Sequence, residues 1–315
     1  MTRVNLRLVL TRVLGAIPVA LGVCALTFLL LHVAPGDPAL LYLGDKASPE
    51  ALAAIREKWG LDDPLWKQFL AFLVGVAHGN LGFSISLNLP TSELVATRLP
   101  ASLLLMIMGT AFGIALSLPL AAVAAAHPGG RVDSLVRVLV ALVQGVPMVL
   151  LGTLLLSVLA LQLGLFPVGG YGGSALDHLH SLILPALTVG VGMLPVLVRG
   201  FRSAFVDALG SENMAFAQSK GLKGFALMVP YVLRPTGVSA ISLIGIQLGS
   251  LVGGVVIVEN VFAFPGMGNL MLQGILARDF GLVQGVTLVL SLLVVSVFMV
   301  TDLLLALVDS RISLS

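Results

Sequence analysis

Charge is nearly absent from six long intervals of this chain, 13–33, 101–126, 138–161, 182–198, 236–258 and 281–304, and gathers in the stretches between them. All six are rich in Leu, Val and Ala. About 20 such residues in a helix cross a hydrocarbon core of roughly 30 Å. Scattered Gly and Pro inside them are tolerated at membrane depth where neighbouring helices re-satisfy the backbone. The pattern predicts an all-α integral membrane protein with six transmembrane helices. Gly109-x-x-x-Gly113 and Gly249-x-x-x-Gly253 predict close helix approach within the bundle.

The basic residues between the spans orient them. With a cytoplasmic N-terminus, the inside segments hold Arg3, Arg7, Arg12, Arg131, Arg137, Arg199, Arg202, Lys220, Lys223, Arg234 and Arg311, eleven of the 17 Lys and Arg. Of the rest, Lys46, Arg56, Lys58, Lys67 and Arg98 share one long loop, which weighs little in orientation. Only Arg278 occupies a short outside loop, so both termini are expected in the cytoplasm. The basic start and the apolar run from Val13 to Val33 exceed a signal-peptide core, and are read as an uncleaved first span.

Three regions follow: residues 1–33, the cytoplasmic N-terminus and first span; 34–100, a small external helical domain; and 101–315, a five-span core. In the external domain, Ser48-Pro49-Glu50 starts a helix that Gly60 ends, and Asp63-Pro64 starts another. The second has a broad apolar face, Leu65, Trp66, Phe69, Leu70, Leu73 and Val76. Trp59 and Trp66, the two tryptophans of the chain, suit either a helix at lipid headgroup level or one packed on the end of the bundle.

Composition agrees with the pattern. Apolar residues make up 58% and charged residues 10%, with mean hydropathy +1.08. A soluble chain of 315 residues cannot cover that much apolar surface. The single cysteine, Cys24, excludes an intrachain disulfide. No phosphate-binding G-x-x-x-x-G-K-[ST] loop, H-E-x-x-H or G-x-S-x-G occurs, and no catalytic residue or metal site is predicted. Ion-coupled carriers bury ionisable groups near the midplane. Here one acid, Asp302, lies well inside an apolar run, and it sits toward the cytoplasmic end. A structural partner suits it better than a transport role. Gln144 and Gln247 either line a pathway or bridge helices. A stand-alone secondary carrier is therefore a weaker alternative, and the driving energy is expected from outside the membrane part.

The segment at about 200–235 is the largest cytoplasmic one. Ser211-Glu212 opens a run of helix formers through Met214 to Lys220, and Gly221 fits the stop position. Small side chains, Ala215, Ala217 and Ser219, beside the turn Gly221-Leu222-Lys223-Gly224 make a low-profile helix that fits a cleft on another protein. The same residues also suit a loop whose lysines meet anionic lipid.

Its wording, "AFAQSKGLKGFALMVPYVLRP", resembles the coupling motif of ABC-importer permeases, in the branch that imports dipeptides, oligopeptides and nickel. Further stretches are similar in the same order: "FLLLHVAPGDPA", "SPEALAAIREKWGLDDPLWKQFLAFL", "HGNLGFSI", "RLPASLLL", "LGLFPVGGYG", "ILPALTVG", "VVIVENVFAFPGMGNLMLQGILARDFGLVQG" and "DLLLALVDSRI". The chain departs from the family at Ser211, Asn213, Gln218 and Ser310, which softens the charge contacts expected with an ATPase.

The resemblance implies a permease subunit forming half of a pathway across a bacterial or archaeal inner membrane. A homologous second permease, two ATPase subunits carrying ATP and Mg, and an extracytoplasmic solute-binding protein are the implied partners, with membrane lipid around them and no nucleic acid. No cofactor is expected on this chain. Glu212, Ala215, Ala217, Ser219, Lys220, Gly221, Leu222 and Gly224 would receive the ATPase. Pro265-Gly266-Met267-Gly268, following Glu259, either shapes the external mouth or simply reverses the chain. Dipeptides or oligopeptides are the expected solutes, with nickel, metal chelates or glutathione-like solutes as alternatives.

Overall fold

The computed structural model describes residues 6–33, 38–44 and 47–308. Arg3, Lys46, Asp309, Ser310 and Arg311 lie outside the described residues. Helix α1 (Leu6–Val33) leads to the short α2 (Pro38–Leu43), α3 (Pro49–Trp59) and α4 (Leu65–Ala77). Ser48 caps α3 by accepting from the Ala51 N–H, and Gly60 closes it in a left-handed conformation (φ 66°), as the sequence predicts. Strands β1 (Phe83–Ser84) and β2 (Leu89–Pro90) form a small antiparallel hairpin, with Phe83 opposite Pro90. Helix α5 (Thr91–Ala126) follows directly, so the region before it joins the core through a continuous helix.

The remaining elements are α6 (Arg131–Gly145), α7 (Met148–Leu155) extended by a π-helical stretch to Gln162, and α8 (Ala175–Leu209). After them come α9 (Glu212–Ser219), α10 (Phe225–Met228), a π-helical stretch Val229–Leu233, α11 (Arg234–Val261), α12 (Met267–Leu276) and α13 (Phe280–Val308). Among the described residues, four helical runs are long and apolar enough to cross a membrane: Thr91–Ala126, Leu176–Leu209, Phe225–Val261 and Phe280–Val308. The bent pair of α6 and α7 is either a fifth, broken span or a re-entrant loop, and α1 carries a shorter apolar run, Leu14–Leu29.

Two expectations change here. The interval 138–161 is not one straight helix: it bends by 98° between α6 and α7. Pro147 is the cause, since its ring disfavours helical geometry at Val146, which is extended at φ −90°, ψ 118°. The segment 200–235 is also largely helix continuous with the long apolar helices on either side of it. Helix α8 continues through Arg199, Arg202 and Asp207 to Leu209, and a continuous helical run resumes at Phe225. Only residues 210–224 remain between them, because Pro230 and Pro235 are absorbed by a π-helical stretch and a new first turn instead of ending the helix.

Helix α8 is the central element: 67% of its apolar window is buried, against 11% for α13. Its partner is α5. A side chain at Gly190 would meet Phe112 Cβ at 2.8 Å and the Gly113 nitrogen at 2.9 Å, so these backbones touch through their glycines. The predicted Gly109-x-x-x-Gly113 pair lies at this crossing, with Val189 and Met193 seated on it. In the second pair, Gly249 lies under the Phe298 ring, whereas Gly253 faces open space. Helix α4 packs on α1 through Phe69 and Phe28, whose rings are 5.3 Å apart, and through a His32–Gln68 hydrogen bond of 3.1 Å. Trp66 stays 66% exposed on its far side.

Candidate coupling segment and the buried polar ties around it

The segment between α8 and α11 is built by its caps. Ser211 Oγ accepts from the Met214 N–H at 3.2 Å and donates to the Ala208 carbonyl at 2.8 Å, which fixes α9 to the end of α8. Glu212 sits in the first turn, beside the positive pole of the helix. At the other end, the Leu222 N–H reaches back to the Ala217 carbonyl (3.3 Å) and the Gly221 N–H to that of Gln218 (2.9 Å). This Schellman closure requires a left-handed residue, supplied by Gly221 at φ 80°. Gly224, at φ 58°, makes the second reversal before α10.

Eight residues make a rod about 12 Å long. Met214 and Ala217 point inward, exposed by 3% and 0%. Glu212, Ala215, Ser219, Lys220, Gly221 and Gly224 are exposed, and Leu222 is half-buried against the core. Phe216 is 59% exposed, with the Lys220 Nζ 4.4 Å above its ring. Beyond the turn, Phe225 is 89% exposed. The inward face thus anchors the rod through small or flexible side chains, and its outward face offers an aromatic–cation pair. Neither Phe216 nor Phe225 was singled out from the sequence. An apolar residue in a membrane chain signals nothing until its orientation is known.

Glu259 does not line an opening. It is fully buried, accepting from Ser102 Oγ and from the N–H groups of Gly268 (2.7 Å) and Asn269 (3.1 Å) at the start of α12. Ser102 in turn accepts from the Met267 N–H at 2.7 Å. A side chain at Gly266 would overlap the Glu259 carboxylate. Pro265, Gly266 and Gly268 therefore form a tight reversal wrapped around an acid that caps α12. Gln144 is exposed and accepts from Arg199 at 2.6 Å, bridging α6 to α8, while Gln247 is half-buried on α11.

Two further ties escaped sequence reading. Asp133 is fully buried, accepting from Arg202 Nε and Nη2 at 2.6 and 2.7 Å and from the Gly129 N–H at 2.8 Å. Asp279 accepts from Ser84 Oγ (2.6 Å), Ser86 Oγ (2.7 Å), the Ser86 N–H (2.9 Å) and the Leu282 N–H (3.1 Å), pinning the β1–β2 hairpin to the start of α13. Their partners lie 69 and 195 residues away. His178 stacks on Tyr171 at 4.0 Å, and His180 Nε2 lies 3.1 Å from the Leu165 carbonyl, so both rings are engaged.

Two family models match. Residues 117–314 fit the "binding-protein-dependent transport system inner membrane component", and residues 5–105 fit the N-terminal membrane component of the same systems. A putative peptide transport system permease protein of Brucella abortus is 37% identical over 308 residues, covering 97% of this chain and 98% of the relative. The oligopeptide transport system permease protein AppB of Bacillus subtilis is 33% identical over 310 residues, 96% of this chain and 98% of the relative. The dipeptide transport system permease protein DppB of Escherichia coli K12 is 30% identical over 334 residues, 98% of each. Among solved structures, an inward-facing form of the MetNI methionine ABC transporter superposes with TM-score 0.59 at 17% identity, covering 69% of this chain and 97% of that one. That likeness concerns the fold.

Proposed function

Because the chain belongs to the family of binding-protein-dependent transport inner-membrane components, we propose that it forms half of an ATP-driven import pathway for dipeptides or oligopeptides in a bacterial inner membrane. The observation that carries the substrate class is likeness, along nearly the whole chain, to permeases of peptide, oligopeptide and dipeptide transport systems.

A permease of this kind has no chemistry of its own to perform; it converts a push into a rearrangement. Residues 212–224 are the part suited to take the push, in the cytoplasm. A rod whose two ends are both closed by side-chain or glycine caps transmits force along its axis without fraying. It is continuous through Ser211 with α8, the most buried helix of the bundle. A displacement at α9 therefore bears on the helix that α5, α6 and α11 pack against. A rigid-body change follows more readily from such a contact than a local adjustment, because packed helices shift between discrete arrangements.

On this reading, two ATPase subunits bind ATP and Mg and receive one coupling segment each, a second homologous permease completes the pathway, and an extracytoplasmic binding protein supplies the solute. Six spans with both termini inside accompany it. The test is reconstitution of the chain with and without its ATPase and binding-protein partners. Peptide uptake dependent on ATP and on both partners is the expected result; uptake by this chain alone would sink the reading in favour of a secondary carrier. Exchanging the binding protein while keeping the permease should change the solute taken up.

A further inference from the structure

The charge-free parts of α6 and α8 end side by side. On α6, Arg137 is the last charged residue before an uncharged run beginning at Val138; on α8, such a run closes at Val198, and Arg199 and Arg202 follow. Between the two helices lies a cavity of ≈290 Å3 lined by Val136, Arg137, Val140, Val198, Arg199 and Arg202. Its lining is three valines and three arginines.

These cations are not balanced. Asp133 is the acid that pairs with them, and it is committed to Arg202 and to the Gly129 N–H. Arg137 holds its Nε 3.8 Å from the same carboxylate, donates to Ser134 Oγ at 3.2 Å, and is more than half exposed. Arg199 donates to Gln144, a neutral amide. Three positive groups thus share one negative charge around a partly apolar hollow. Arginine's forked donors match phosphate oxygens.

The depth of the cavity names the source of that phosphate. A boundary between charged and charge-free parts of spanning helices marks headgroup level. On the membrane side of it, Val140 of α6 and Val198 of α8 wall the cavity, while α6 turns Val138, Leu139 and Leu142 outward on its other face. We propose that the cavity between α6 and α8 binds the phosphate of an anionic phospholipid through Arg137 and Arg199. The bound headgroup neutralises Arg137 and Arg199 and holds α6 to α8, next to the Asp133–Arg202 tie. The site stands on α8 crossing the membrane and is independent of which solute is transported.

The complete transporter, purified with its partner subunits into phosphatidylcholine discs doped with phosphatidylglycerol, tests this by native mass spectrometry of retained lipid. The wild type should retain phosphatidylglycerol over phosphatidylcholine, and Arg137→Gln and Arg199→Gln should each weaken that retention by roughly tenfold. Arg202 is left intact because its loss strands buried Asp133. Lys58→Gln, on α3, should retain the lipid as the wild type does. Should a Gln variant fail to assemble, photo-crosslinking of a headgroup-azido phosphatidylglycerol to wild-type α6 replaces it, with labelling expected at 136–140. Equal retention of both lipids, unchanged retention in Arg137→Gln/Arg199→Gln, or label confined to other helices overturns the proposal. Displacement of the lipid by inorganic phosphate alone reassigns the site to a soluble anion and overturns the lipid assignment.

Discussion

Glu259 illustrates how a single acid in an apolar chain can be structural. Its carboxylate receives Ser102 and two backbone N–H groups, so both oxygens are occupied. Glu259→Gln replaces one acceptor oxygen with a donor facing donors. Leaving such a buried group unsatisfied costs about 1–3 kcal/mol, and a lower thermal midpoint in detergent with no change of solute preference is expected. Ala217 is the opposite case, a residue defined by the absence of a side chain. It has no exposed surface under α9, so Ala217→Arg must lift the rod. Transport should be lost, or hydrolysis released from uptake, while insertion in the membrane persists; wild-type coupling ratios would contradict the docking role. At Gly221, proline loses the hydrogen bond to Gln218 and cannot adopt φ 80°, with the same expected loss of coupling.

At the scale of elements, α9 is too short to persist on propensity, since isolated helices below about 12–15 residues are marginal in water. Its caps and its anchor Met214 hold it. Ser211→Ala removes one cap and should weaken the element by about 1 kcal/mol, seen as faster amide exchange across 212–219 than elsewhere in the protein. The β1–β2 hairpin is a second dependent element, with two residues per strand. Asp279→Ala leaves Ser84 and the Ser86 N–H without their acceptor, and proteolysis within residues 84–89 should rise while the spans stay protected. Both elements show how far residue order could be read. The cap, the helix and the glycine stop of α9 follow local rules and were legible. The tie of the hairpin to Asp279 crosses 195 positions of chain, and no local rule reaches that far.

In the whole molecule, burial is unevenly shared. Helix α8 lies at the centre, whereas α11 and α13 leave most of their apolar windows uncovered, with 28% and 11% buried. An apolar groove of ≈390 Å3 separates α11, α12 and α13 near Gly253, Val256 and Leu290. Such surfaces suit lipid and a second subunit, in keeping with the proposal that this permease supplies half of a pathway. Uptake should therefore require co-expression of a partner permease. The membrane part alone should be stable and inactive, measured by peptide accumulation in vesicles with each subunit omitted in turn.

Long-range contact separates what the chain dictated from what folding decided. Runs without charge demand a bilayer, and Ser211 and Gly221 demand the ends of a helix, because each is a property of neighbours along the backbone. The bend at Pro147 was within reach of the same rules, which restrict the residue before a proline, but the hydropathy of 138–161 masked it. The length of α8, the inward turn of Glu259 and the pairing of Asp133 with Arg202 belong to the tertiary structure. A buried carboxylate must find donors wherever packing brings them, and only packing decides which helix supplies them.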